Sequence, residues 1–77
     1  MYKTFREIIK CWDTYQALAT DIGEPYLTVR QWHTRDRIPS RAWPRIADAA
    51  KARRLNGITV ETLADLNAEY SLRERAA

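Results

Sequence analysis

The chain has one cysteine, Cys11, and one histidine, His33. A single cysteine excludes an internal disulfide framework and fits a reducing compartment, and this pair is too small a ligand set for a structural zinc site. Gly23 and Gly57 are the only glycines, so there is no glycine-rich phosphate loop. No apolar run approaches the roughly 20 residues of a membrane span. The start of the chain, Met1 to Glu7, lacks the apolar stretch of a signal peptide. Acidic residues are scattered and form no acid–base pair at a recognisable spacing. These absences lead us to expect no enzyme, no metal, no cofactor and no membrane contact, and a cytoplasmic location.

Length adds a further limit. At 77 residues a chain buries only about 60% of the surface it exposes when unfolded. A single domain over residues 1–77 is expected, with no room for a second, ligand-sensing domain. Apolar residues make up 45% of the chain and include three Trp, four Tyr and one Phe, enough to offset ordering entropy around one core. The formal net charge of +3 is a poor guide until it is resolved along the chain. Residues 1–29 carry −1, residues 30–54 carry +6 and residues 55–77 carry −2. In the central block seven of the eight basic residues are Arg, whose planar fork suits paired acceptors.

Apolar residues recur at helical spacing throughout, which predicts an all-α compact bundle of about five short helices. Phe5, Ile8, Ile9 and Trp12 make one stripe, and Thr4 with Glu7 makes a capping box at its start. A second helix begins at Asp13 or Thr14, with Asp13 and Gln16 as another box. Leu18, Ala19 and Ile22 face inward, and Gly23 supplies the left-handed end. Pro25 suits the first turn of a third helix, with Val29 and Trp32 inward and Ile38-Pro39 as its stop. A fourth helix, starting at either Ser40 or Pro44, puts Trp43, Ile46, Ala47 and Ala50 on one face, and Asn56-Gly57 closes it. Thr59 caps a fifth, Ile58 and Leu63 staple it, and Leu63, Leu66 and Tyr70 form its stripe. Residues 73–77 are expected to fray.

The second and third helices carry the most specific spacing. Ala19 is small where two helices cross, Gly23 turns the chain, and Val29 and Trp32 follow six and nine residues after the glycine. Within residues 14–35 this arrangement resembles the helix-turn-helix of Cro/CI-type phage repressors, a lambda-repressor-like fold. Glu24 departs from that pattern, in which an apolar residue is common after the glycine. Arg35-Asp36-Arg37-Ile38-Pro39-Ser40-Arg41-Ala42-Trp43 is similar to an R-x-x-I-P-x-x-x-W element in small phage-like bacterial regulators. Gly57 to Leu63 resembles their last helix. The likeness covers about residues 13–66. It implies sequence-specific binding of double-stranded DNA, usually for repression, without a cofactor and in association with the nucleoid.

The helical wheel bears on the same question independently. With Val29 and Trp32 inward, Leu27 and Thr34 point away from the core, Arg30 and Gln31 point outward, and Tyr26 and Arg35 lie on the flanks. Arg can read guanine, Gln adenine and Leu a thymine methyl, so Tyr26, Leu27, Arg30, Gln31 and Thr34 are the expected base readers. Arg35, Arg37, Ser40 and Arg41 are expected on phosphates, as are Thr14 and Gln16 at the start of the second helix. Two copies on half-sites about 34 Å apart are expected, with Leu66 and Tyr70 as candidates for the pairing surface. His33 reads as a packed or phosphate-facing imidazole, Cys11 as an ordinary thiol, and Trp12, Trp32 and Trp43 as core. The alternatives are a protein-interaction module whose arginines meet an acidic partner, and an excision or architectural factor that bends DNA.

Overall fold

The computed structural model describes residues 2–76, with side chains through residue 72. Five α-helices follow in order: α1 (Phe5–Ile9), α2 (Tyr15–Ile22), α3 (Tyr26–Arg35), α4 (Trp43–Ala52) and α5 (Val60–Ala76). One tight helical turn, Ser40–Ala42, leads into α4. There is no strand among the described residues. The expected fraying concerns 73–77; the backbone is helical through Ala76, and Ala77 and the side chains of 73–77 lie outside the described residues.

Local chemistry accounts for most of the boundaries. Thr4 Oγ1 accepts the Glu7 N–H at 3.1 Å. The Glu7 carboxylate reaches back to the Lys3 N–H at 3.1 Å, one residue beyond the box partner expected. α1 ends at Ile9 rather than running on to Trp12, because Cys11 and Trp12 donate to carbonyls only three residues back. Thr14, not Asp13, caps α2 by accepting the Ala17 N–H at 3.0 Å. Gln16 closes no box; its amide donates to Thr20 at 3.0 Å. Pro25 sits at the cap of α3, just outside the first turn. Both readings of the α4 start are partly met, since Ser40 opens the tight turn and Pro44 falls in the first turn of α4.

Three helices end in the same way, and only one of them uses glycine. Gly23 (φ 72°), Asp36 (φ 55°) and Arg54 (φ 59°) are all left-handed. The next residue in each case donates to a carbonyl five back: Glu24 to Ala19, Arg37 to Trp32 and Leu55 to Ala50. This is the Schellman closure, in which a left-handed residue lets late N–H groups satisfy orphan carbonyls. Consequently α3 stops before Ile38-Pro39, and α4 stops before Asn56-Gly57. For a side chain other than glycine the left-handed conformation costs about 1 kcal/mol or more. Asp36 offsets that cost through its carboxylate, which accepts the Arg6 N–H at 3.1 Å. Arg6 in turn donates to the His33 and Thr34 carbonyls at 2.7 and 2.8 Å. The start of α1 and the end of α3 therefore cap each other, with a cation at the negative helix end.

One apolar cluster joins all five helices, with Phe5, Ile8, Leu18, Val29, Ile46 and Leu63 fully buried. Ile58 and Leu63 are both interior, as a staple across the Thr59 cap requires. Ala49 rather than Ala47 is buried on α4, and Trp43 is half-buried, its indole N–H donating to the Ile38 carbonyl at 2.9 Å. Leu66 is interior and Tyr70 half-buried beneath the Arg37 guanidinium, 4.4 Å from its ring centroid.

Asp21 ties α2 to both ends of the chain around it. Its carboxylate accepts the Trp12 indole N–H at 2.9 Å and pairs with the Arg53 guanidinium. Arg53 first, then Trp12, holds the Asp21 carboxyl below its usual value near 3.8. A depressed folded value means that the stabilisation is complete above the unfolded value and fades as pH falls through the folded one. In thermal melts, the deficit of Asp21→Asn relative to wild type should shrink between about pH 6 and about pH 3. A deficit that stayed constant across that range would show that the ion pair contributes nothing.

Candidate nucleic-acid interface

α3 is fixed from beneath. Val29 is 0% and Trp32 6% exposed, so the helix phase is set by two interior anchors three residues apart. The opposite face is open: Leu27 is 63% exposed, and Arg30, Gln31 and Thr34 are exposed with it. The Arg30 and Gln31 side chains have no hydrogen bond or ion pair among the described residues. Thr34 donates its hydroxyl to the Arg30 carbonyl at 3.0 Å. Tyr26 is 42% exposed, its ring centroid 6.0 Å from that of Tyr15. Tyr15 also lies 5.3 Å from the imidazole of half-buried His33, whose Nε2 is enclosed without a hydrogen-bond partner.

The residues expected on phosphates fall into two groups. Thr14, Gln16, Arg35 and Ser40 are exposed, and Arg35 has no intramolecular partner among the described residues. Arg37 and Arg41 already have work within the fold. Arg37 is half-buried, donating to Asn67 Oδ1 at 3.2 Å and lying over Tyr70. Arg41 donates to Glu24 Oε1 at 2.8 Å. The Glu24 side chain is only 9% exposed and also faces Arg45 at 3.8 Å. Arg45 in addition donates to the Ile22 carbonyl at 2.8 Å. Glu24 is therefore a fastening point between the α2–α3 turn and α4. Nothing in local spacing marks it; the two arginines that meet it are 17 and 21 residues away.

Sequence reasoning also passed over Lys10. It is exposed and lines one groove with Thr14, Gln16 and Tyr26, beside the first turn of α2. Asp13 lines the same groove, so the local charge there is mixed. The available signal was positional, since Lys10 precedes the α2 cap by four residues. Of the basic block, Arg37, Arg41, Arg45 and Arg53 are engaged, while Arg30, Arg35, Lys51 and Arg54 have no partner among the described residues. The +6 is thus divided between fasteners and open charge.

No metal-binding group of His, Cys, Asp or Glu occurs among the described residues, and no helix is long and apolar enough to cross a membrane. Compared with known proteins, the chain matches no family model, no curated protein and no solved structure.

Proposed function

We propose that this chain is a sequence-specific double-stranded DNA-binding regulator, a Cro-like repressor associated with the nucleoid, whose α3 reads the major groove. The observation that carries this reading is the outward face of α3. Leu27, Arg30 and Gln31 stand exposed on a helix anchored by Val29 and Trp32, and neither polar side chain is used by the fold. A solvated helix face is ordinarily lined with Lys and Glu, whereas a Leu–Arg–Gln–Thr surface supplies the donors and apolar contact that base edges need. Tyr26 flanks this face. Arg35 and Ser40, with Lys10, Thr14 and Gln16 across the α2 start, would position the domain on the backbone. Arg37 and Arg41 would join them with the donor capacity their partners leave. Two copies on adjacent half-sites would supply the contacts that one small domain lacks.

Selection of bound duplexes from a random pool tests the proposal. A defined motif is expected. Arg30→Ala and Gln31→Ala should each cost about 1–3 kcal/mol and relax preference at one base pair. Arg35→Ala should weaken all sequences alike. Identical specificity profiles for the two kinds of variant would contradict the assignment of roles. Failure to enrich any duplex, with stable co-purification of an acidic protein, would favour the interaction-module reading, for which exposed Leu27 and Tyr26 also speak.

A further inference from the structure

The open cations of the basic block do not all lie on α3. Lys51 and Arg54, at the end of α4, are exposed, and neither has an ion pair or side-chain hydrogen bond among the described residues. Between them and the start of α5 runs an open groove of about 650 Å³. Its apolar part is made by half-buried Leu55, buried Ile58 and Val60, the last 42% exposed. Asp48 also lines the groove, so its rim carries two cations and one carboxylate. No residue of α2 or α3 lines it. Arg54 is held left-handed at φ 59°, at a helix end where glycine would be free of strain. Unlike Asp36, its side chain makes no hydrogen bond or ion pair among the described residues to offset that strain.

We infer that this groove docks an acidic peptide segment of another protein, with an apolar side chain as its anchor. The anchor covers Val60 and Leu55, and carboxylates on either side meet Lys51 and Arg54. Opposite charge at a rim steers encounter and sets orientation. A duplex backbone suits the groove less well, since it offers nothing to cover Val60. The inference stands on a different face from α3 and does not depend on DNA binding.

The test is a displayed library of short peptides, rich in Asp and Glu around one Leu, Phe or Trp, screened against the full chain. Enriched peptides are expected to bind wild type and to lose about tenfold or more in affinity with Lys51→Glu, through like-charge repulsion. Arg54→Gly is the second variant. It relieves the left-handed residue, so it should melt at the same temperature as wild type or higher while binding the peptides less tightly. That combination separates loss of docking from loss of folding. No enrichment over a matched basic library would overturn the inference, as would peptides that bind both variants as well as wild type. If both variants instead weaken binding of a labelled duplex as Arg35→Ala does, and no peptide is retained, the patch is a phosphate contact and the docking site is refuted.

Discussion

Duplex affinity should fall by roughly 10³ to 10⁵ between 50 and 200 mM salt if two copies together neutralise about 6–10 phosphates. The effect is large because each phosphate contact releases condensed counterions, and that gain shrinks as bulk salt rises. Lys10 and Arg35 are exposed without ion-pair partners among the described residues and would contribute four such contacts in a pair. The remainder would come from Arg37 and Arg41, which the fold already holds through Asn67 and Glu24. Under the proposed function the slope is therefore expected toward the lower end of the range, and one variant should steepen it. Glu24→Gln removes the carboxylate that faces Arg41 and Arg45, freeing one cation beside the turn in each copy and changing the slope of a pair by about two. Binding measured by fluorescence anisotropy that ignored salt would overturn the proposed function.

Replacement of Trp12 by alanine should cost about 3–5 kcal/mol. A domain of this length has roughly 4–12 kcal/mol of stability in total, so the variant should lose a large share of it and lies close to unfolding if the wild type is at the lower end. Trp12 is 3% exposed and belongs to the apolar core, just past the end of α1. Its indole N–H donates to Asp21, the same carboxylate that receives Arg53 from the end of α4. Truncation would leave a cavity and remove one of the two interactions that orient Asp21. Trp12→Phe keeps most of the apolar volume but loses the N–H and part of the indole, so a cost of about 1–3 kcal/mol is expected. Urea denaturation should rank wild type, Phe and Ala in that order. A Trp12→Ala midpoint indistinguishable from wild type would show that the knot around Asp21 is not structural.

Much of this architecture is readable from spacing. The α3 face follows from Val29 and Trp32, because a helix of fixed pitch that buries two positions must expose those opposite. The caps at Thr4 and Thr59 are equally legible, since each hydroxyl satisfies an N–H three residues on, whereas at the start of α2 spacing leaves Asp13 and Thr14 both open and the structure uses Thr14. The ends of α3 and α4 are not legible. Punctuation by Ile38-Pro39 and Asn56-Gly57 places both too late, because Asp36 and Arg54 adopt the conformation usually left to glycine. Asp36 does so with the help of a backbone N–H 30 residues away, and no local pattern records that partner.

The sequence by itself determined that the chain is helical, which faces are apolar, and that its positive charge begins on the outward side of α3. These follow from helical period and capping chemistry, which act over three or four residues. Only the tertiary structure decided what the charges do there. Glu24 takes Arg41 and approaches Arg45, Asp21 takes Arg53, and Arg6 closes the end of α3. Each of these joins helices through contacts 17 to 32 residues apart, and how short helices cross depends on how their side chains fill a shared core. That packing turns a net +6 segment into four fasteners and four open cations. Arg30 and Arg35 stand on the proposed reading helix, while Lys51 and Arg54 mark a second face.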